Sequence, residues 1–445
     1  ARLHEIDRTC LAFRLRKDII LSPKAVVTHC LTPADLEDGL REYPGAGLLH
    51  QLFNTPDPCS LGYNSLGFDD EFLRFLFYRN LLDPYSHQYA NGCFRADILP
   101  VAALFRVFCD SVIDWPVLDN GRPTLQLAQI TRANRFDTSG PAHDAMADVE
   151  ALVALSRRFS ARADIWRYAL GFFDKQTDLA RAAAIPRACR IRDRAFRKAV
   201  MVSAAFGPDA GYLAPVLHIG ASVPYQNQQL WIRLDRPESL AVDPDTGLFT
   251  WFPIRKKPAD QWLLLPEHDR FTARLPEASK DTAAAVLCAF EKDPDRFFDT
   301  IQAHLAYAYP FVPDLDPDAG LYQAGFFSPK EKKDIAGFHG AAPFENLDDD
   351  GMARLVASLE TPRIKTLAAR ILMRSYGLPA NREFTRLLAG LENGEKITGY
   401  RSDEKYTLVQ ARADLMELET QKHTLDLRQQ AALAQIRAYL GQWTA

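Results

Sequence analysis

The segment PAHDAMADVE, residues 141–150, sets an imidazole and a carboxylate, His143 and Asp148, five positions apart among small side chains. An imidazole with a near-neutral pKa can take a proton from water, and carboxylate oxygens hold hard cations. Five residues along a regular helix is a rotation of about 140°, so the pair shares no helix face. The two converge only if His143 precedes the helix and Asp148 lies one turn inside it. Asp144 is the expected N-cap, with Ala145, Val149, Leu152 and Leu155 as the apolar stripe. A bare His-x4-Asp arises by chance about once in a chain this long, so it needs a partner. GYNSLGFDDE, residues 62–71, supplies one. Asn64, Phe68 and Asp69 end an apolar run and open a helix, where an α/β sheet presents side chains to a cleft. Taken alone, Asp69 and Asp70 would be ordinary helix caps.

The elements around these residues alternate. Residues 1 to about 175 read as an α/β domain: strands over 9–16 and 58–64, helices over 31–43, 69–82 and 124–134, and a further helix from 94–108. Residues 187–198 then gather Arg187, Arg190, Arg192, Arg194, Arg197 and Lys198, the pattern of a solvated linker or of a phosphate-contacting strip. From 199 to about 275 short β runs follow one another between Gly, Pro and Asp turns, which suggests a small barrel. From about 280 the pattern is helical, and 405–441 reads as two long amphipathic helices.

Composition bounds the function. The 445 residues call for two or three domains, and 47% apolar with 25% charged residues is ordinary globular usage. A net charge of −4 gives no general support to nucleic-acid binding, so any such surface is a local basic patch. No run of 18 apolar residues occurs, and no membrane partner is expected. Seven scattered cysteines without metal spacing fit free thiols in a reducing cytoplasm. The chain opens on Ala1 rather than Met, and its true start is expected upstream.

The order Asn-x3-Phe-Asp followed by His-x4-Asp resembles the second and third motifs of the DEDDh 3′→5′ exonucleases. Over a longer reach, GYNSLGFDDEFLRFLFYRNLLDPY (62–85), FRADIL (94–99), the stretch 114–134 and AHDAMADV (142–149) look like the bacterial exodeoxyribonuclease I family. FPIRKKP (252–258) and LYQAGFFSP (321–329) are similar as well. The resemblance implies an α/β ribonuclease H-like exonuclease domain over 1–175, a basic linker over 176–198, a small SH3-like β-barrel domain over 199–290 and an all-α C-terminal domain over 291–445. It also implies hydrolysis of single-stranded DNA from the 3′ end to 5′-mononucleotides, in DNA repair or recombination, by a monomer. Two Mg²⁺ ions roughly 4 Å apart would activate the water and stabilise the leaving oxygen. By motif, Asp69 and Asp148 become metal ligands and His143 the general base. Gln126, Asp148, Arg255 and Lys256 become the expected substrate contacts. Single-stranded DNA and the acidic C-terminal tail of single-stranded DNA-binding protein are the implied partners.

The pattern has gaps. The family's opening Asp-x-Glu is not found where it is needed: Asp35-Leu36-Glu37 lies in an expected helix, and Asp148-Val149-Glu150 is already the third motif. The opening strand is expected before residue 1, and the chain as given should bind Mg²⁺ weakly and be severely impaired. Gln126 stands where the family has a basic residue, so charge is missing from that contact. Asn64 and Asp97 match the family and are expected to hold a strand end and a helix start. Arg255, Lys256 and Lys257, the basic strip, and the nearby Phe196, Trp251 and Phe252 are candidates to grip a strand. An RNA-trimming exonuclease is disfavoured by the chain's length. The alternative from another class is a non-catalytic single-strand binder or partner scaffold.

Overall fold

Two short runs pair in parallel, Cys59–Gly62 (β1) with Phe94–Asp97 (β2), so that Gly62 lies opposite Asp97. The structure is a computed structural model and describes residues 3–57, 59–139, 145–401 and 403–443. The chain divides into two units. The first takes Ala1–Glu5, Cys59–Asp70 and Phe94–Tyr309; the second takes Ile6–Pro58, Glu71–Cys93 and Pro310–Ala445. Residues 6–58 and 71–93, expected within the α/β domain, thus group with the C-terminal helices.

In the first unit, β2 runs directly into helix Ile98–Phe108, where the sequence suggested one continuous helix from 94. Asp97 separates the two by capping Leu99, and Pro100 fits the first turn, where no backbone donor is needed. Val101, Leu104 and Phe105 of this helix are buried with Leu152, Leu155 and Phe159 of helix Ala145–Ser160. Phe105 and Phe159 stack at 4.2 Å between ring centroids.

The basic run is not a linker. Cys189–Ile191 (β3) and Arg194–Phe196 (β4) form a hairpin that turns through Arg192 at φ 54°. Ile191 and Phe196 are buried in this hairpin, while Arg190, Arg192 and Arg194 are exposed. The β region beyond it is a five-stranded antiparallel sheet of Lys198–Val202 (β5), Leu213–Ala221 (β6), Gln229–Arg233 (β7), Ile254–Lys256 (β8) and Leu263–Pro266 (β9), in the order β8-β7-β6-β5-β9. Both faces are apolar by strict alternation. Ala199, Met201, Val216 and Trp231 face one side, against Ala182 and Ile185 at the end of helix Lys175–Ala184. Leu217, Ile219, Leu230 and Ile232 face the other, against Val286, Phe290 and Phe297 of helices Glu277–Lys292 and Pro294–Ala306.

The second unit is helical and holds two corrections. Residues 9–16 were expected as a strand, yet only Phe13 makes a bridge, to Leu40. Residues 31–43 were expected as a helix. Instead Asp35 accepts from the backbone N–H (2.8 Å) and hydroxyl (2.6 Å) of Thr32, closing a single turn at Ala34–Leu36. The helix starts later, at Glu42–Phe53, where Pro44 falls in its first turn.

A buried charge cluster explains why the early residues belong here. Arg374 donates from Nε to Asp18, 356 residues away in sequence, at 2.9 Å, and also bonds Asp318. Arg370 reaches Asp316 at 3.0 Å, while Arg16 bridges Asp18 and Glu42 at 3.0 Å each. Arg79 adds a second bond to Glu42 at 2.8 Å. Burial opposes ionisation of Asp18, Glu42 and Asp318, but the surrounding guanidiniums outweigh it and hold all three below the ordinary carboxylate range. Among the described residues no helix is long and apolar enough to cross a membrane.

Removing one partner of such a cluster leaves buried charge without compensation. Arg374→Met is expected to lower unfolding stability by about 3–5 kcal/mol at neutral pH, measured in urea. The depressed carboxyls contribute stability above their unfolded pKa and lose it as pH falls through the folded one. The gap between parent and variant should therefore narrow on acidification; a gap independent of pH would contradict the assignment.

Candidate active site

The C-terminal ends of β1 and β2 lie side by side, and the loop after β1 is fastened there by one side chain. Asp97, with no exposed surface, accepts from Asn64 N at 2.8 Å and Leu99 N at 2.9 Å through Oδ1, and from Leu66 N at 3.1 Å through Oδ2. Asn64 takes a left-handed φ of 60°, which turns the chain back toward those acceptors. The Tyr63 hydroxyl donates to the Leu125 carbonyl, tying the same loop to the residue before Gln126. Asn64 and Asp97 are thus the strand-end and helix-start anchors that the sequence suggested.

Helix Asp69–Arg79 starts where this loop ends, and Asp69 is exposed at its first position. Partial burial raises its pKa, and the neighbouring Asp70 adds to the shift. Burial raises Asp97 more, to about 6; its three N–H donors oppose the shift and the charge of Asp69 reinforces it. Asp70, by contrast, is sealed in an ion pair with Arg95 at 2.7 Å, a structural role.

Asp148 sits half-buried in the first turn of helix Ala145–Ser160, held to the same core by the Phe105–Phe159 stack. His143 lies outside the described residues. Among the described residues no three His, Cys, Asp or Glu side chains gather as a metal site. Asp70 is paired with Arg95, and Asp97, whose ionisation feels the charge of Asp69, accepts from backbone donors through both oxygens. The Asp-x-Glu pairs are engaged as well. Asp35 caps its turn, and Glu150 accepts from Ser139 N at 2.5 Å. The donor set described does not make up a two-ion Mg²⁺ site.

The expected substrate contacts divide. Gln126 is exposed at the N-cap of helix Leu127–Asn134. Lys256 is a correction: only 3% exposed, its ammonium bonds Asp178 at 2.9 Å and Asp260 at 3.0 Å, so it is a buried structural cation rather than a phosphate contact. Arg255 has a different setting. Its guanidinium lies 5.0 Å from the ring centre of Tyr307 and 5.8 Å from that of Tyr309, and Tyr225 packs on Tyr309 at 4.9 Å. Tyr307 and Tyr309 are exposed, as is Phe252 at 93%, whereas Trp251 and Phe196 are core. The tyrosines were missed in the sequence, although YAY at 307–309 is an aromatic pair beside a turn.

A concavity of about 420 Å³ is lined by Leu104, Phe108, Ile165, Tyr168 and Phe271, with Arg270 and Arg274 among its residues and Asp164 the single acid. Its arginines come from helix Asp269–Thr272 and the turn after it, far in sequence from the other wall, so no motif announces it.

The Asp97 anchor can be tested by stability. Asp97→Ala leaves three backbone donors without their acceptor and should cost about 2–4 kcal/mol in urea unfolding. Asp97→Asn, which keeps one acceptor oxygen, should cost less. Equal, negligible losses in both variants would remove Asp97 from its anchoring role.

No family model matches the chain. Exodeoxyribonuclease I of Escherichia coli (strain K12) is 38% identical over 146 residues, which is 33% of this chain and 30% of the relative's length. Among solved structures, E. coli Exonuclease I in complex with a dA16 oligonucleotide covers 97% of this chain and 91% of its own, with a TM-score of 0.76 at 24% identity. A structure of SSB/Exonuclease I in complex with the inhibitor CFAM covers 96% of this chain and 90% of its own, with a TM-score of 0.73 at 22% identity. Over the aligned stretch the chain is similar to exodeoxyribonuclease I, and its fold is similar to that of Exonuclease I.

Proposed function

We propose that the chain is a 3′→5′ exonuclease of single-stranded DNA whose 3′ end enters at the β1–β2 strand ends. The observation that carries this reading is Asp69, an exposed carboxyl at that position, on a fold similar to Exonuclease I bound to an oligonucleotide. Asp69 and Asp148 supply negative charge, and His143 supplies a base able to accept a proton from water. Tyr307, Tyr309 and Phe252 offer faces on which bases can stack, and Arg255 holds a positive charge over two of those rings. A divalent cation is the cofactor that the family likeness implies, with Mg²⁺ the expected ion. Because the described donors fall short of a two-ion set, hydrolysis by residues 1–445 alone should be slow.

The concavity around Tyr168 and Phe271 supports a partner as well. Apolar walls with two arginines fit an acidic peptide tail that ends in hydrophobic residues, and SSB accompanies Exonuclease I in one of the similar structures. We assign single-stranded DNA-binding protein to this surface.

Digestion of 3′-labelled single-stranded DNA with Mg²⁺ should release mononucleotides slowly from the parent and not from Asp69→Ala or Asp148→Ala, while all three still shift DNA on a gel. A parent that shifts DNA without releasing mononucleotides would be a binder, and one that does neither would overturn the reading. For the partner surface, Arg274→Ala should weaken binding of an acidic C-terminal SSB peptide by about tenfold, with affinity falling as salt rises. Unchanged affinity would place the peptide elsewhere.

A further inference from the structure

The β3–β4 hairpin gathers charge that the candidate active site leaves unused. Residues 187–198 hold Arg187, Arg190, Arg192, Arg194, Arg197 and Lys198 against one acid, Asp193. Two of these cations are engaged locally: Arg192 pairs with Asp295 at 2.7 Å and Lys198 with Glu267 at 2.5 Å. Arg187, Arg190, Arg194 and Arg197 pair with no carboxylate among the described residues, and the first three are exposed. Burial lowers the pKa of the Arg197 guanidinium, and the like charge of Arg187 beside it adds to the shift. A chain of net charge −4 that crowds unpaired arginines onto one hairpin creates a local field for an anion.

The hairpin is fixed to helix Pro294–Ala306. Ile191 and Phe196 are buried with Phe297 and Ile301 of that helix, and Phe196 meets Phe297 edge-on at 5.6 Å. At the tip, Ile191 lies opposite Arg194, whose guanidinium rests 4.6 Å from the ring centre of Phe298. The far end of the helix repeats this arrangement, with Arg255 over Tyr307 and Tyr309 just past Ala306. An arginine laid on an aromatic ring thus marks each end of one helix, and Phe298 and Tyr307 are roughly 14 Å apart along it at 1.5 Å per residue. Gln302 and Ala306 are exposed between them, and Asp299 is an acid beside this track. A guanidinium held by one face on a ring loses little further freedom when its N–H edge takes a phosphate.

These features select the ligand. Arg190 and Ala195 are paired and share the hairpin face opposite to Ile191. The hairpin's own aromatic, Phe196, is core, so this face offers charge without a ring on which a base could stack. Phosphate is the anion that fits, with base stacking left to the tyrosines. An acidic peptide ending in hydrophobic residues needs apolar walls as well. Those lie around Tyr168 and Phe271, in an apolar cluster separate from the one that holds the hairpin. We infer that the hairpin is a second contact for the single strand, 5′ to the end at Asp69. Phosphates sit on Arg190 and Arg194, and the strand runs along helix Pro294–Ala306 to Tyr307 and Tyr309. This rests on the single-strand reading above and adds to it a contact blind to base sequence.

Binding of fluorescent strands to the full chain, measured without divalent cation so that nothing is cut, tests this contact. The probes are an oligothymidylate and an abasic strand of the same length. Arg190→Gln combined with Arg194→Gln should weaken both about tenfold and flatten the slope of log affinity against log salt by about 1.4, the counterions of two phosphates. Arg190→Lys combined with Arg194→Lys should keep the slope. Tyr307→Ala should weaken the oligothymidylate and spare the abasic strand. A slope unchanged in the Gln variant, or a loss confined to the base-bearing strand, overturns the proposal. So does a Gln variant that binds both strands as the parent does but loses the acidic SSB peptide, which would give the hairpin to the protein partner. The nuclease reading fails separately. Mononucleotide release from Asp148→Ala at the parent's rate would remove the active site and leave this contact standing.

Discussion

The candidate active site depends on one carboxylate that does no chemistry. Asp97 gathers the N–H groups of Asn64, Leu66 and Leu99 and so locks the end of β1 to the start of the helix after β2. Without it the loop 63–68 would carry unpaired donors, and the first residue of the next helix, Asp69, would have no fixed place. The cost is visible in its own ionisation, which burial pushes to about 6 despite three favourable donors. A buried acceptor of this kind gives the exposed carboxyl beside it a defined position, and position is what a hydrolytic site needs before reactivity.

The second unit is built on the opposite principle. Its helices close over arginines and carboxylates that neutralise one another, with Asp18 and Arg374 joining the two ends of the chain. Such a cluster contributes little net energy compared with a well-packed apolar core, but it tolerates few alternative arrangements. In the first unit the specificity comes from alternation instead: β5, β6, β7 and β9 send apolar side chains to both faces of the five-stranded sheet, and helices cover both.

Local patterns in the sequence were reliable where local physics decides. β1, the helix that opens at Asp69, the helix after Gln126 and the strands from 198 to 266 lie where periodicity places them. Asn64 and Asp97 were readable as anchors because a strand end and a helix start each demand one. Other features depend on partners far along the chain. Nothing near Lys256 announces Asp178, 78 residues away, so a basic residue in a basic motif reads as a phosphate contact. Residues 9–16 have strand-like alternation, yet Arg16 is drawn into ion pairs with Asp18 and Glu42. The hairpin at 189–196 was hidden by its charge, because Arg190, Arg192 and Arg194 read as a solvated run.

The proposed function requires the 3′ end of a single strand to come to Asp69. Photo-crosslinking tests it directly and does not require turnover. A single-stranded oligonucleotide carrying a photoreactive group at its 3′ terminus should label peptides spanning residues 63–70 or 145–150, and the same group at the 5′ terminus should not. Labelling by the 3′ probe confined to other regions, or equal labelling of 63–70 by both probes, would contradict the account.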